Sequence, residues 1–172
     1  MIIWINGAFG SGKTSVAEAV NKRIANSYVY DPEMAGYFLW EVFPEEMKRK
    51  GNFQHIPLWR EINYKALQCI AANYAGVIIA PMTVYIRQYY DEIAGRLAGD
   101  GVEVESFILS AGKRTILGRL AARGDGPDGW AARHIDVCVS AFETDIPGRK
   151  IVTDDRGVDE IADEIVGITG QG

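Results

Sequence analysis

Near the start of the chain, Gly7-Ala8-Phe9-Gly10-Ser11-Gly12-Lys13-Thr14-Ser15 spells Gly, four residues, then Gly-Lys-Thr, and no other stretch restricts the fold as much. Glycines let successive backbone N–H groups turn inward around an anion, and a helix starting directly afterwards points its N-terminus at the same charge. Both flanks agree. Met1 to Asn6 is almost wholly apolar, as a strand buried on both faces must be. Val16, Ala17, Val20 and Ile24 recur at helical spacing, with Glu18, Asn21, Lys22 and Arg23 on the other face. Strand, loop and helix together predict a phosphate-binding loop: Gly7 to Ser15 cradle nucleotide phosphates, Lys13 reaches the β- and γ-phosphates, and the Thr14 hydroxyl holds Mg²⁺.

The 172 residues suit a single domain with a real core, and no linker, repeat or low-complexity segment divides them. A net charge of −5 argues against a non-specific nucleic-acid binder, so no nucleic-acid partner is expected and any anionic ligand must be held by local cations. Cys69 and Cys138 both fall in helical apolar patterns, which points to free thiols in a reducing cytoplasm. Ala66 to Ile86 lacks charge over a bilayer-spanning length, but Gln68, Asn73, Gly76 and Pro81 divide it into an amphipathic helix and a buried strand. His55 and His134 are solitary, so no zinc site is assigned.

Five apolar strands alternate with helices: Met1–Asn6, Ser27–Tyr30, Gly76–Ala80, Val102–Leu109 and Lys150–Asp154. That rhythm predicts a three-layer α/β fold with a five-stranded parallel sheet, order 2-3-1-4-5, and helices on both faces. The second strand delivers Asp31-Pro32-Glu33 to the carboxyl edge, where ligands bind. Asp31 there suits a base that takes a proton from an acceptor hydroxyl, or a carboxylate that holds Mg²⁺ through water, and equally suits the N-cap of the next helix. That helix, Met34 to about Lys50, carries Tyr37, Phe38, Val42 and Phe43 on or near one face, breaks near Pro44 and stops at Gly51. Phe38, Trp40 and Phe53 are read either as the lining of an acceptor pocket or as plain core. Arg60, in the helix opened by Pro57, is read as a grip on an anionic or polar acceptor group or as an ordinary ion pair. Residues 33–60 thus form the expected acceptor region.

Pro81-Met82-Thr83 follows the third strand where many P-loop enzymes place a metal-binding aspartate; no acid stands there, and Thr83 is a candidate for the acceptor site or a metal-bound water, or simply ends the strand. Arg119 and Arg123 lie four residues apart beside Gly124-Asp125-Gly126-Pro127-Asp128-Gly129, a lid over 119–134 able to close on transferring phosphoryl oxygens, unless both arginines are merely solvated. Arg133 is a lesser candidate. Ala131, Ile135, Cys138, Val139 and Phe142 make one more helical stripe, so Cys138 reads as core. Asp155-Arg156-Gly157 is expected to contact the adenine base, largely through backbone, or to be a capped turn, before a last helix with Val158, Ile161, Ala162, Ile165 and Val166 buried. No guanine-reading motif stands at that turn, so ATP is the expected nucleotide.

The phosphate loop, the acid after strand two, the lid arginines and the Thr-Asp-Asp ending of strand five resemble the nucleoside-monophosphate-kinase-like group. Residues 1 to 14, Tyr28-Val29-Tyr30-Asp31-Pro32-Glu33, Pro57-Leu58-Trp59-Arg60, Pro81-Met82-Thr83, and Trp130-Ala131-Ala132 with Ile135-Asp136 are more narrowly similar to the bacterial tunicamycin resistance proteins. This resemblance implies an ATP-binding protein directed at a uridine-containing, lipid-tailed antibiotic. Two activities fit it: phosphoryl transfer from ATP to a hydroxyl of a small-molecule acceptor such as tunicamycin, with Lys13, Asp31, Arg119 and Arg123 as catalytic residues, or ATP-dependent sequestration of the drug. The family pattern also includes a basic, amphipathic C-terminal extension that touches membranes. This chain ends at Thr169-Gly170-Gln171-Gly172, which puts such membrane contact in doubt.

Overall fold

A computed structural model describes residues 1–48, 52–126 and 128–171. In chain order its elements are β1 (Ile2–Gly7), α1 (Lys13–Arg23), β2 (Ser27–Val29), α2 (Glu33–Val42), α3 (Glu45–Lys48), a 3₁₀ turn (Phe53–His55), α4 (Pro57–Asn73), β3 (Val77–Pro81), α5 (Arg87–Tyr90), a π-helical turn (Asp91–Gly95), α6 (Arg96–Gly99), β4 (Val104–Ser110), α7 (Lys113–Ala122), α8 (Trp130–Arg133), α9 (Ile135–Thr144), β5 (Arg149–Val152) and α10 (Val158–Thr169). The five strands pair in the order β2-β3-β1-β4-β5, all parallel, as the sequence predicts.

Every residue of β1 is buried because it pairs with β3 on one edge and β4 on the other and carries helices on both faces. Its side chains alternate between two cores. Ile2 and Trp4 join Ile78, Ala80, Ile108, Leu39, Trp59 and Leu67 on one face of the sheet. Ile3 and Ile5 join Ile79, Phe107, Ile151, Val16 and Val20 of α1, and Ile161 and Ile165 of α10 on the other. Among the described residues no helix is long and apolar enough to cross a membrane; the charge-free stretch from Ala66 is instead the end of α4 followed by β3.

One local expectation holds and three change. The second helix does break at Pro44: Phe43 is extended (φ −85, ψ 146), the conformation a following proline imposes, and α3 is a separate turn. The stop expected at Gly51 lies outside the described residues, as does Pro127 of the lid loop. The aromatic face of α2 is not its buried face. Ala35, Gly36 and Leu39 face inward because the Phe53 ring lies against Gly36, where a Cβ would stand 2.5 Å from it. Tyr37, Phe38 and Val42 are left roughly half exposed. The stripe from Ala131 to Phe142 is two helices joined at His134, not one, and Val158, expected in the core, is exposed at the start of α10.

Asn6 closes β1 with the one polar side chain among its last apolar residues. Buried, it accepts from the N–H of Gly7 (3.0 Å) and of Val84 (2.9 Å) and donates to the Val84 carbonyl (2.9 Å). This pins the start of the phosphate loop to the segment that follows β3. Asn6→Ala strands the buried N–H and C=O of Val84 and is expected to destabilise the fold by about 2–4 kcal/mol. A shift of the urea midpoint measures it; a loss below about 0.5 kcal/mol would show that water replaces the amide.

Candidate functional site

Three of the loop glycines, Gly7, Gly10 (φ +80) and Gly12, have backbones that geometry reserves for glycine. Gly7 sits at φ +150, and a Cβ there would lie 2.6 Å from Ser11 Oγ and 2.7 Å from the Leu109 carbonyl. Gly12, at φ +96, is the residue before α1, and a Cβ on it would meet nothing within 4 Å: the concave side of the loop faces open space. The Ser11 hydroxyl is buried inside the loop and has no hydrogen-bond partner among the described residues. Ala8 anchors the turn, its carbonyl accepting from the N–H of Ser11 (3.1 Å) and from Lys13 Nζ (2.9 Å). Desolvation pushes the Lys13 ammonium down to about 8; Arg123 adds to the fall, while the Glu33 carboxylate opposes it. Cys138, behind it, is pushed up to about 12 by burial and is a core thiol.

On one side of the loop a cavity of about 500 Å³ runs from Gly10–Val16 past Arg119 and Arg123 to Thr153, Arg156, Gly157, Val158 and Ile161. Arg119 is a strut between α7, β5 and the loop: it donates to Thr153 Oγ1 (2.9 Å), the Thr153 carbonyl (2.7 Å) and the Ser11 carbonyl (3.3 Å). Arg156 is held by Glu160 (2.6 Å) and Glu164 (2.7 Å). Of the turn assigned to the base, Arg156 and Gly157 line the cavity; Asp155 does not, and shapes the turn through its left-handed backbone (φ 57). Thr153, Val158 and Ile161 line it without having been singled out. So was Asp154 missed: its carboxylate accepts from Thr115 Oγ1 (2.5 Å) and from the Gly112 N–H (3.0 and 3.1 Å), contacts that hold it below the usual carboxylate range and tie α7 to the end of β5.

On the other side a second cavity, about 430 Å³, is lined by Phe9, Gly10, Lys13, Thr14, Glu18, Asp31, Glu33, Thr83 and Arg123, with Val29, Pro81 and Met82 as its floor. Asp31 is exposed and one oxygen accepts from the Glu33 N–H (2.9 Å), so it caps α2 and also faces the cavity. Thr83 is buried, its carbonyl fixed by Gln54 (2.8 Å). Arg123 forms an ion pair with Asp125. Trp130 of α8 packs edge-on against Phe9 of the loop at 4.8 Å, closing one rim, while Ser15 and Thr14 stand exposed at the first turn of α1.

Four expected acceptor residues, Phe38, Trp40, Phe53 and Arg60, lie elsewhere. Phe38 is 58% exposed and lines neither cavity, because α2 turns its small residues inward. Trp40 and Phe53 stack instead with Trp59 in a cluster at 5.1–5.4 Å. Arg60 is only 6% exposed: it pairs with Glu92 (2.5 Å), donates to the Gln54 carbonyl (2.5 Å) and lies over the Tyr89 ring, so of its two readings the ion pair is the one present, and in buried form.

No protein-family model and no curated protein sequence matches the chain. Solved structures do. The fold superposes on a tunicamycin resistance protein of Deinococcus radiodurans at a TM-score of 0.81 and 25% identity, covering 98% of this chain and 95% of that one. A sugar kinase from Janibacter sp. gives 0.69 at 16% identity over 99% and 95%, and the APS kinase of Mycobacterium tuberculosis 0.65 at 17% over 98% and 96%. The chain therefore has the fold of the P-loop kinases, and the resemblance to tunicamycin resistance proteins read from its motifs extends over nearly its whole length.

Proposed function

We propose that this chain is an ATP- and Mg²⁺-dependent phosphotransferase acting on a hydroxyl of an antibiotic or nucleoside-like small molecule, with tunicamycin the first candidate. One observation carries the reading: the two cavities meet at Gly10, Lys13, Thr14 and Arg123, so one wall serves a nucleotide on one side and an acceptor on the other. The open concave face at Gly12 suits a triphosphate, and the exposed Thr14 hydroxyl at the start of α1 suits Mg²⁺. The ion, with phosphates and water as its other ligands, would neutralise charge on the β- and γ-oxygens.

Nucleotide phosphates lie along the loop amides, the adenine in the cavity bounded by Arg119, Arg156 and Val158. The acceptor enters between Asp31 and Thr83. Its hydroxyl oxygen attacks the γ-phosphorus from the side opposite the leaving oxygen, its proton passing to the carboxylate edge at Asp31 and Glu33. Lys13 and Arg123 neutralise the charge that shifts during transfer, which requires Arg123 to exchange Asp125 for phosphoryl oxygens. Arg119 holds the lid helix against the loop. The net charge of −5 leaves nucleic acid an unsuitable partner, and the free Cys69 and Cys138 suit the reducing cytoplasm, where ATP is present.

A second reading keeps ATP binding but makes it a lock on sequestered drug, and Pro81-Met82-Thr83 favours it, since no acid follows β3 to order the metal. Mass spectrometry of tunicamycin incubated with protein, ATP and Mg²⁺ separates the two. The phosphotransferase reading predicts a gain of one phosphate with matching ADP; ATP-dependent drug binding with no mass gain would replace it by sequestration.

Lys13 supplies a second expectation. Phosphates favour its ammonium form, so its pKa rises on nucleotide binding from about 8 in the free protein. Binding then takes up protons above that pH, and affinity falls as pH rises through 8. Calorimetry at pH ~8.5 in buffers of different protonation enthalpy is expected to read a net proton uptake, absent in Lys13→Met, which also binds more weakly. Wild-type binding without proton uptake would place the phosphates away from Lys13.

A further inference from the structure

Two carboxylates face the acceptor cavity from the β2 edge, and they are not equivalent. Asp31 is exposed and spends one oxygen on the N–H of Glu33, closing the first turn of α2. Glu33 is half-buried on the first turn of the helix thus fixed. One of its oxygens, Oε2, accepts from the phenol of Tyr37 one helical turn on (2.9 Å), which sets the plane of the carboxylate and leaves Oε1 without a donor among the described residues. Tyr37 is thereby held in its neutral, donating form, its ionisation raised chiefly by that same bond. Glu33 is also the carboxylate whose charge Lys13 feels, and Lys13 Nζ marks where the γ-phosphoryl must lie.

We infer that Glu33, oriented by Tyr37, is the catalytic base of the acceptor site, and that Asp31 acts through it as a positioning residue that caps α2 and sets the entry of that helix. The inference rests on the phosphotransferase reading. As the acceptor oxygen bonds to the γ-phosphorus, the bond to the β,γ-bridging oxygen breaks and its electron pair leaves on ADP. The acceptor proton passes to Glu33 Oε1 and then to solvent. The charged and titratable groups around Glu33 are Lys13 of the loop, Glu18 of α1, Asp31 at the β2 edge, Arg123 of the lid and Tyr37 on its own helix. Both cations serve the phosphoryl group, so Glu33 is not locked in a permanent ion pair.

The test follows phosphate from γ-labelled ATP to tunicamycin and, without an acceptor, to water. Glu33→Gln keeps shape and charge-neutral hydrogen bonding but cannot take a proton; it is expected to lose about a hundredfold or more in transfer rate, with nucleotide affinity within about twofold. Asp31→Asn retains an oxygen for the cap and is expected to lose less than about tenfold. Tyr37→Phe removes the donor that orients the Glu33 carboxylate and is expected to lower kcat for transfer while leaving the KM for tunicamycin unchanged, a split that loss of packing alone does not produce. The reverse order, with Asp31→Asn inactive and Glu33→Gln active, or an unchanged kcat in Tyr37→Phe, would overturn the assignment while leaving the enzyme a kinase. Wild-type protein that transfers phosphate to neither tunicamycin nor water would remove the phosphotransferase reading, and the base with it.

Discussion

β1 has a strand on each edge and helices on each face, and its last polar side chain, Asn6, is bonded to the backbone at Val84. The phosphate loop leaves this strand, and the acceptor edge follows β3 alongside it. Movement of one is therefore movement of the other. Parallel pairing alone would bring both loops to the same end of the sheet, but it would not fix their separation; the buried amide does, because leaving its partners unpaired away from water is costly. The positions of Lys13 on one loop and Thr83 on the other follow from that link.

Charge in the site is distributed in opposition. Lys13 and Arg123 stand where the two cavities meet, whereas Glu18, Asp31 and Glu33 face the acceptor cavity. Lys13 is partly stripped of water and so has more to gain from a phosphoryl group than a freely solvated cation has, whereas Arg123 must first give up its pair with Asp125. Arg119, by contrast, already spends its guanidinium on Thr153 and Ser11. The two lid arginines are thus divided between holding the helix and meeting the substrate.

How much of this was legible in the sequence depended on how local the cause was. The loop, the parallel sheet and its strand order follow from backbone chemistry and from apolar runs of strand length, and these are written residue by residue. The break at Pro44 and the opening at Pro57 are equally local. Orientation of long side chains is not. Whether Phe38 points into the acceptor site depends on Phe53 occupying the space beside Gly36, a contact seventeen positions away. Whether Arg60 is available to a ligand depends on Glu92 across another helix. Asp154 read only as the end of the fifth strand, and its tie to Gly112 and Thr115 crosses about forty positions. Asn6 did carry a signal, a lone amide at the end of an apolar strand, and Glu33 another, a second acid beside the first.

The central claim is that one wall, built from the phosphate loop and Arg123, separates a nucleotide site from an acceptor site. A crystal structure with Mg²⁺ and a non-hydrolysable ATP analogue tests it most directly. The account predicts the triphosphate along the loop amides, with the γ-phosphoryl between Lys13 and an Arg123 released from Asp125 and facing Asp31 and Glu33 across the cavity. A γ-phosphoryl turned away from those carboxylates, with Arg123 still paired to Asp125, would contradict it.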